Sequence, residues 1–169
     1  MRIFYFPDWL MIFTYIFLWP LMQVLIAMLG NKISDKHFDP NSFWLKTRKW
    51  EDSGSFYKRV FKVHKWKPLL PDGAKVHHKG FQKKQLSSYE PEYLQKFIVE
   101  TGRAEIFHWL QIAPFWIFGL WSPFFVVWIM LGYAMAVNLP CIIAQRYNRP
   151  RLIQTHRYLK HKQMQSSGR

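Results

Sequence analysis

The chain has almost no cysteine, and one long stretch near its N-terminus has no charged residue. Cys141 is the single cysteine among 169 residues, so the chain can form neither an internal disulfide bond nor a cysteine-based metal site. Charged side chains and histidine are absent from residues 9–29, a run about as long as the roughly 20 residues that cross a bilayer. A cleaved signal peptide is the alternative for this run, but no small-residue cleavage site follows it.

Familiar soluble catalytic motifs are also missing. The sequence contains no Walker phosphate loop, no G-x-G-x-x-G, no G-x-S-x-G and no H-E-x-x-H motif. None of the seven histidines is followed five positions later by the aspartate that one large class of glycerolipid acyltransferases uses. We therefore expect no metal site and no bound cofactor.

A second apolar run, 106–144, contains His108 as its only charged or imidazole side chain. Turn formers at 119–123 divide this run, which predicts a hairpin of two membrane helices. The first arm is short, so a re-entrant or shallow hairpin stays open. We predict an all-α membrane protein with a single membrane domain over 1–169. Its parts are a transmembrane helix at 9–29, a cytoplasmic or interfacial region at 30–105, a transmembrane helical hairpin at 106–120 and 123–143, and a basic tail at 144–169.

The positive charge is strongly asymmetric along the chain. Lysine and arginine number 24 against 10 acidic residues, a net charge of +14. Only Arg2 precedes the first run, and positive residues stay on the cytoplasmic side. This predicts a multi-pass cell-membrane protein with its N-terminus outside and its C-terminus in the cytoplasm. Basic and aromatic residues are interleaved at 56–67, which favours anionic lipid over a nucleic acid partner, and residues 50–67 are predicted to form an interfacial helix.

The stretch ETGRAEIFHW, residues 100–109, brings ionisable groups to the start of the second apolar run. On a helix advancing about 100° per residue, Glu100, Glu105 and His108 share an arc of roughly 140°. A carboxylate beside an imidazole suits a general base, with Glu105 or else Glu100 as its partner. The structural alternative is an ion pair between Glu100 and Arg103, with His108 reaching the membrane interface.

A second motif, NLPCIIAQRYNRPRL at 138–152, carries three arginines in six residues among amide and phenol donors. Guanidinium groups bind phosphate through charge-assisted hydrogen bonds, which favours an anion site. The alternative is a stop signal with an interfacial tyrosine. The predicted substrate- and phosphate-binding residues are Arg103, Asn138, Gln145, Arg146, Tyr147, Asn148, Arg149 and Arg151, with Lys67 assisting from the loop.

A hairpin would bring these two motifs together at the cytoplasmic face. An acid–base group beside an anion-binding cluster at a membrane suits group transfer from a phosphorylated carrier to a lipid. Two other classes stay open. A membrane methyltransferase or reductase could place the same groups around a nucleotide cofactor, and a non-enzymatic assembly factor for pigment enzymes would need no site.

The motifs KWKPLLPDG, ETGRAEIFHW and YAMAVNLPCIIAQRYNRPRL also carry a family resemblance, in this order and spacing. The chain resembles the glycosyl-4,4'-diaponeurosporenoate acyltransferases of staphyloxanthin-type carotenoid synthesis over most of 25–155. The resemblance implies transfer of a fatty acyl chain to the glucose C6 hydroxyl of a glycosylated C30 carotenoid acid. Acyl-CoA is the expected donor, and other enzymes of the carotenoid pathway are further partners to consider.

Within that interpretation, His108 would deprotonate the sugar hydroxyl, and Glu105 or Glu100 would orient the imidazole. The hydroxyl oxygen would attack the thioester directly. Cys141 is the competing nucleophile, although a thiol in an apolar helix more often serves packing. Gly102 interrupts the helical motif and marks a bend or a close packing contact.

Overall fold

The computed structural model describes residues 2–70 and 90–167, and the part of the chain it describes is helical and contains no strand. The helices are α1 (Asp8–Phe13), α2 (Trp19–Lys32), α3 (Ser55–Val60), α4 (Val63–Trp66), α5 (Pro91–Ile112) and α6 (Phe124–Ser167). A π-helical turn, Thr14–Leu18, joins α1 to α2, and 3-10 segments cover Asp35–Phe38, Lys49–Gly54, Lys67–Leu69 and Ala113–Leu120. The predicted all-α fold is confirmed. The predicted regions 30–105 and 144–169 fall partly outside the described residues.

The chain divides into two compact units. Unit 1 joins Met1–Ile33 to Ile106–Ile142, and unit 2 joins Ser34–Glu105 to Ile143–Arg169. Helices α5 and α6 each contribute residues to both units. The motif at 100–109 is likewise divided, with 100–105 in unit 2 and 106–109 in unit 1. The motif at 138–152 has 138–142 in unit 1 and 143–152 in unit 2.

Within residues 2–70 and 90–167, two helical runs are long and apolar enough to cross a membrane, Asp8–Lys32 and Phe124–Gln165. Only 11% and 22% of their most apolar windows are buried inside the protein, whereas the core helix of a soluble protein is mostly buried. The exposed apolar side chains of these runs include Trp9, Phe13, Phe17, Leu21, Leu25, Phe124, Phe125, Trp128 and Ile129. These apolar faces associate the chain with a membrane.

The predicted segment 106–120 is not one α-helix. Helix α5 ends at Ile112, and Ala113–Leu120 continue as a 3-10 helix. Pro114 lacks the N–H that an α-helix would use, and the tighter 3-10 turn accommodates it. The N–H groups of Ile3 and Phe4 donate to Leu120 O at the end of this segment, 2.7 and 2.9 Å away.

The region 50–67 also differs from the single interfacial helix predicted for it. It forms the short 3-10 segment Lys49–Gly54, then α3 and α4. Asp52, Ser53 and Lys62 adopt positive φ angles that a continuing α-helix excludes. In contrast, α6 runs past the predicted end at 143 as far as Ser167.

Polar contacts accompany the aromatic core of unit 1. Phe118, Trp19 and Trp121 are buried in this core with apolar residues of α6. Trp121 Nε1 donates to Thr14 Oγ1 at 3.0 Å, and the Tyr15 and Ser122 hydroxyls are hydrogen-bonded at 2.7 Å. Polar groups within an apolar span are costly unless paired, so these bonds stabilise the hairpin end against the π-helical turn Thr14–Leu18.

In unit 2, Gly102 of α5 is a close packing contact. A Cβ atom at this position would lie 2.8 Å from Leu45 Cδ1 and 3.4 Å from Phe38 O. Leu45 is only 1% exposed, so its side chain has little room to move. The glycine predicted to mark a bend or close packing therefore allows the segment 38–45 to lie directly on α5.

We predict that Gly102→Ala lowers the stability of the chain by about 1–3 kcal/mol, because overpacking at Leu45 outweighs the helix propensity gained. The apparent Tm in detergent measures the change. Gly132→Ala on α6 is the matched control, because its Cβ would meet nothing within 4 Å. That variant should gain up to about 1 kcal/mol. Equal Tm values for the two variants would contradict the packing argument.

Candidate active site

The structure brings the two predicted motifs together in unit 2 through the Glu105 carboxylate. Arg146 Nε donates to Glu105 Oε1 at 2.5 Å, and Arg149 Nη2 donates to Glu105 Oε2. Glu105 is 1% exposed, so both ion pairs lie out of water. The predicted meeting of the motifs is confirmed by these contacts between residues 41 and 44 positions apart.

Each guanidinium nitrogen of Arg149 donates to a protein acceptor. Its Nη1 donates to Leu45 O at 2.8 Å, and its Nε and Nη2 donate to Thr101 Oγ1 and Thr101 O at 3.1 Å each. The residue is 1% exposed. These contacts favour a structural role for Arg149, since a phosphate would have to displace protein partners to reach it.

Arg146 connects the same network to a carboxylate that the sequence analysis missed. Its Nη1 lies 3.4 Å from Glu51 Oε1, and its Nη2 donates to Trp44 O at 2.6 Å. Glu51 is 1% exposed. No local pattern marks Glu51, because its partner Arg146 lies 95 positions away in sequence.

Tyr57 also binds the Glu51 carboxylate. Its hydroxyl donates to Glu51 Oε1 at 2.6 Å, and the Arg48 backbone N–H donates to Glu51 Oε2. Burial, and then the bond to the Glu51 carboxylate, raise the pKa of Tyr57 well above its ordinary value. The hydroxyl therefore stays protonated and keeps donating at any physiological pH.

Glu100 and Arg103 form the ion pair that the structural alternative predicted. Arg103 Nε lies 3.2 Å from Glu100 Oε1, with the two residues one helical turn apart on α5. Arg103 also pairs with Asp35 and lies over the Phe38 ring, 4.8 Å from its centroid. Arg103 is 9% exposed, and its recorded contacts place it against the segment 35–38.

In unit 1, His108 is bonded to Asn138 of α6. The distance between His108 Nδ1 and Asn138 Oδ1 is 2.8 Å. The Asn138 amide nitrogen donates to Ala134 O at 2.9 Å, which directs the amide oxygen toward the imidazole. An amide oxygen only accepts, so Nδ1 carries the hydrogen and Nε2 is the basic nitrogen of the neutral ring. Asn138, predicted to bind substrate, instead contacts the predicted base.

Four further predicted residues of unit 2 form a cationic cluster, which we define as Lys67, Tyr147, Asn148 and Arg151. Lys67 Nζ donates to Asn148 Oδ1 at 2.8 Å. Arg151 lies over the Tyr147 ring, 4.1 Å from its centroid, and donates to the Tyr147 hydroxyl. Burial, and then the charge of Arg151, lower the pKa of Lys67.

Gln145 and Cys141 have few recorded partners. Gln145 Oε1 is buried and accepts no hydrogen bond within the described part of the chain. The Cys141 thiol donates to Val137 O at 3.9 Å and contacts no base among residues 2–70 and 90–167. A nucleophilic thiol needs a nearby base or positive charge, so this geometry does not support Cys141 in that role. The described residues also hold no group of three metal-ligating side chains.

Comparison with known proteins identifies the family. The family model for glycosyl-4,4'-diaponeurosporenoate acyltransferase matches residues 40–157. The chain belongs to this family. A glycosyl-4,4'-diaponeurosporenoate acyltransferase from Staphylococcus aureus strain Newman is 40% identical over 144 residues, 85% of this chain and 87% of that protein. The protein of the same name from strain MRSA252 is 41% identical over 142 residues, 84% and 86% of the two chains. No solved structure matches.

Membership confirms the predicted class of enzyme and the predicted pathway. The chain is an acyltransferase of staphyloxanthin-type carotenoid synthesis. This decides against the methyltransferase, reductase and assembly-factor alternatives. The matched range contains both motifs, with the His108–Asn138 contact in unit 1 and the Glu105 network in unit 2.

We predict that Glu105→Gln lowers the free energy of unfolding by about 3–5 kcal/mol, because it leaves buried guanidinium charge without its carboxylate. Thermal inactivation of folded protein in detergent, followed by size-exclusion chromatography, measures the loss. Glu92→Gln makes the same chemical change at an exposed position of α5 and should stay within about 0.5 kcal/mol of the original. A Glu105→Gln protein of undiminished stability but without activity would instead place Glu105 in the reaction.

Proposed function

We propose that this acyltransferase esterifies the glucose C6 hydroxyl of a glycosylated C30 carotenoid acid, with acyl-CoA as the donor. The relatives' names support the acceptor, since they contain glycosyl-4,4'-diaponeurosporenoate. The single observation that carries the mechanism is the His108–Asn138 contact, which places the hydrogen of the neutral ring on Nδ1 and makes Nε2 the basic nitrogen. His108 is the general base, and Asn138 is the positioning residue that holds its tautomer.

The reaction balances without a covalent enzyme intermediate. His108 Nε2 removes the proton from the C6 hydroxyl as its oxygen attacks the thioester carbonyl carbon. The tetrahedral intermediate then collapses, the C–S bond breaks, and the leaving thiolate takes the proton back from the imidazolium. The products are the C6 ester and free CoA, with neutral His108 restored. General-base help of this kind contributes roughly 10²–10⁴-fold to a rate.

The cationic cluster of unit 2 is our candidate for the donor's phosphates. Lys67 and Arg151 are close enough for the charge of one to lower the pKa of the other, and an anion relieves that repulsion. Neither has a carboxylate partner within the described residues. Arg146 and Arg149, predicted to share this task, are both paired with the Glu105 carboxylate, so we give the task to Lys67 and Arg151.

We further propose that the N-terminus lies outside the cell and the C-terminus in the cytoplasm. Of the 24 lysines and arginines, Arg2 alone precedes the first apolar run. A cytoplasmic position for the basic residues also suits a soluble acyl-CoA donor, which is made and used inside the cell.

We predict that the chain transfers an acyl group in a host that makes the glycosylated carotenoid acid. Mass spectra of lipid extracts should show a species heavier by one fatty acyl group, and NMR of that species should locate the ester at C6. His108→Ala should lower its formation by about 10²–10⁴-fold, because the base is lost. Asn138→Leu should lower kcat with little change in KM, whereas Asn138→Asp keeps an acceptor for Nδ1 and should retain activity.

His156→Ala is the matched control, since it removes a half-buried histidine of α6 that belongs to neither proposed group. All variants are compared at equal amounts of folded membrane protein. Full product yield with His108→Ala would remove His108 as the base but leave the activity intact. Absence of any acylated product with the unmodified chain would overturn the acceptor.

The second prediction concerns orientation and uses single cysteines in a Cys141→Ala background. In intact cells, a membrane-impermeant thiol reagent should label Tyr5→Cys, because Tyr5 is 82% exposed and lies on the N-terminal side. Lys162→Cys, exposed near the end of α6, should react only after the cells are permeabilised. The reverse labelling pattern would invert the proposed topology.

A further inference from the structure

Two glutamines in unit 1 face each other next to the proposed base. Gln23 Nε2 of α2 donates to the backbone oxygen of Gln111 at 3.0 Å, and Gln111 Nε2 of α5 donates to the backbone oxygen of Gln23 at 3.2 Å. Gln23 is the one amide side chain in the apolar run 9–29. A polar residue retained within a membrane span is most often functional.

The same two helices are also in close contact two turns along α2 from Gln23, where a ring of α5 packs against Gly30. A Cβ atom at Gly30 of α2 would lie 2.9 Å from the Phe107 ring of α5. Gln111 follows His108 by three residues, so the two side chains are neighbours on α5, with Cβ atoms about 5–6 Å apart. Gln23, Gln111 and the proposed base therefore lie in one part of unit 1.

The two side-chain oxygens are the unused groups of this pair. Each amide nitrogen donates across the helix contact, but neither Oε1 atom accepts a hydrogen bond from any residue that the structure describes. Neither oxygen is fully buried, and both side chains are half-buried. An amide oxygen facing lipid tails without a donor is unfavourable, so its natural partner is a molecule that brings hydroxyl groups.

We propose that Gln23 and Gln111 form the binding site for the sugar headgroup of the acceptor, accepting hydrogen bonds from its hydroxyls next to His108. This inference rests on the proposed function, because it assumes that the acceptor carries a sugar. Neutral amides suit a neutral polyhydroxyl group, whereas a phosphate would require cationic donors. The alternative is a purely structural clasp between α2 and α5, since interhelical amide bonds also stabilise membrane helices.

Acceptor analogues separate these two roles. Purified full-length chain in nanodiscs would be assayed with saturating acyl-CoA on the glucosyl ester of the carotenoid acid and on its 2-, 3- and 4-deoxy analogues. The unmodified chain should show about 10-fold lower kcat/KM for at least one analogue, because a site built to bind a hydroxyl rejects the molecule that lacks it. Gln111→Met should lower kcat/KM for the parent glucoside and bring that ratio close to one.

Gln23→Met is the second variant, in case Gln111→Met fails to fold, and it should reduce the same ratio. Gly30→Ala is the matched control, because it perturbs the same helix contact without altering an amide. It should lower stability and leave the ratio of the two kcat/KM values unchanged.

The outcomes distinguish the inference from the proposed function. Equal losses on parent and deoxy acceptors in the glutamine variants would make the pair a structural clasp and overturn the inference. Equal kcat/KM values for all acceptors with the unmodified chain would overturn it as well, while leaving the acyltransferase reaction in place. No acylation of the parent glucoside would overturn the proposed acceptor itself.

Discussion

The interaction on which unit 2 depends is the buried Glu105 carboxylate between the guanidinium groups of Arg146 and Arg149. Each arginine extends the network, Arg146 to Glu51 and to the carbonyl of Trp44, and Arg149 to Leu45 O and Thr101. Two carboxylates balance two guanidinium groups, so the buried cluster carries no net charge. Because removal of any one member leaves a buried charge unpaired, the segment 44–51, α5 and α6 must keep their positions together.

This network explains why four ionisable groups occur at the start of an apolar run. Glu100 and Arg103 pair with each other, and Arg103 also pairs with Asp35. Glu105 serves the buried arginines, and His108 contacts Asn138. The first three groups thus form ion pairs that stabilise the fold. The imidazole differs, because its partner fixes a tautomer rather than neutralising a charge, and a fixed tautomer is a property that proton transfer uses.

The sequence predicts the apolar runs well because their length and lack of charge reflect the bilayer directly. It predicts helix ends less well: Pro114 converts 113–120 to a 3-10 helix, and positive φ at Asp52, Ser53 and Lys62 breaks the region 50–67. The prediction that the arginines bind phosphate did not anticipate the Arg146–Glu51 pair, since no periodic pattern connects residues 95 positions apart. Gln23, in contrast, could have been singled out from the sequence, because it is the one amide side chain in the apolar run 9–29.

In the proposed function, different side-chain chemistry serves the sugar of the acceptor and the phosphates of the donor. Between Ile106 and Ile142 there is no lysine or arginine, and the polar side chains that contact one another near His108 are neutral amides. Cations are instead concentrated where the cluster of Lys67 and Arg151 lies. Amides accept hydrogen bonds from sugar hydroxyls without the desolvation cost of a charge, so they can be retained against an apolar surface. Phosphates require charge, and charge is tolerated outside the spans. The proposed transfer from an acyl thioester to a membrane glycolipid would use both kinds of environment, the neutral amides for the sugar and the cations for the phosphates.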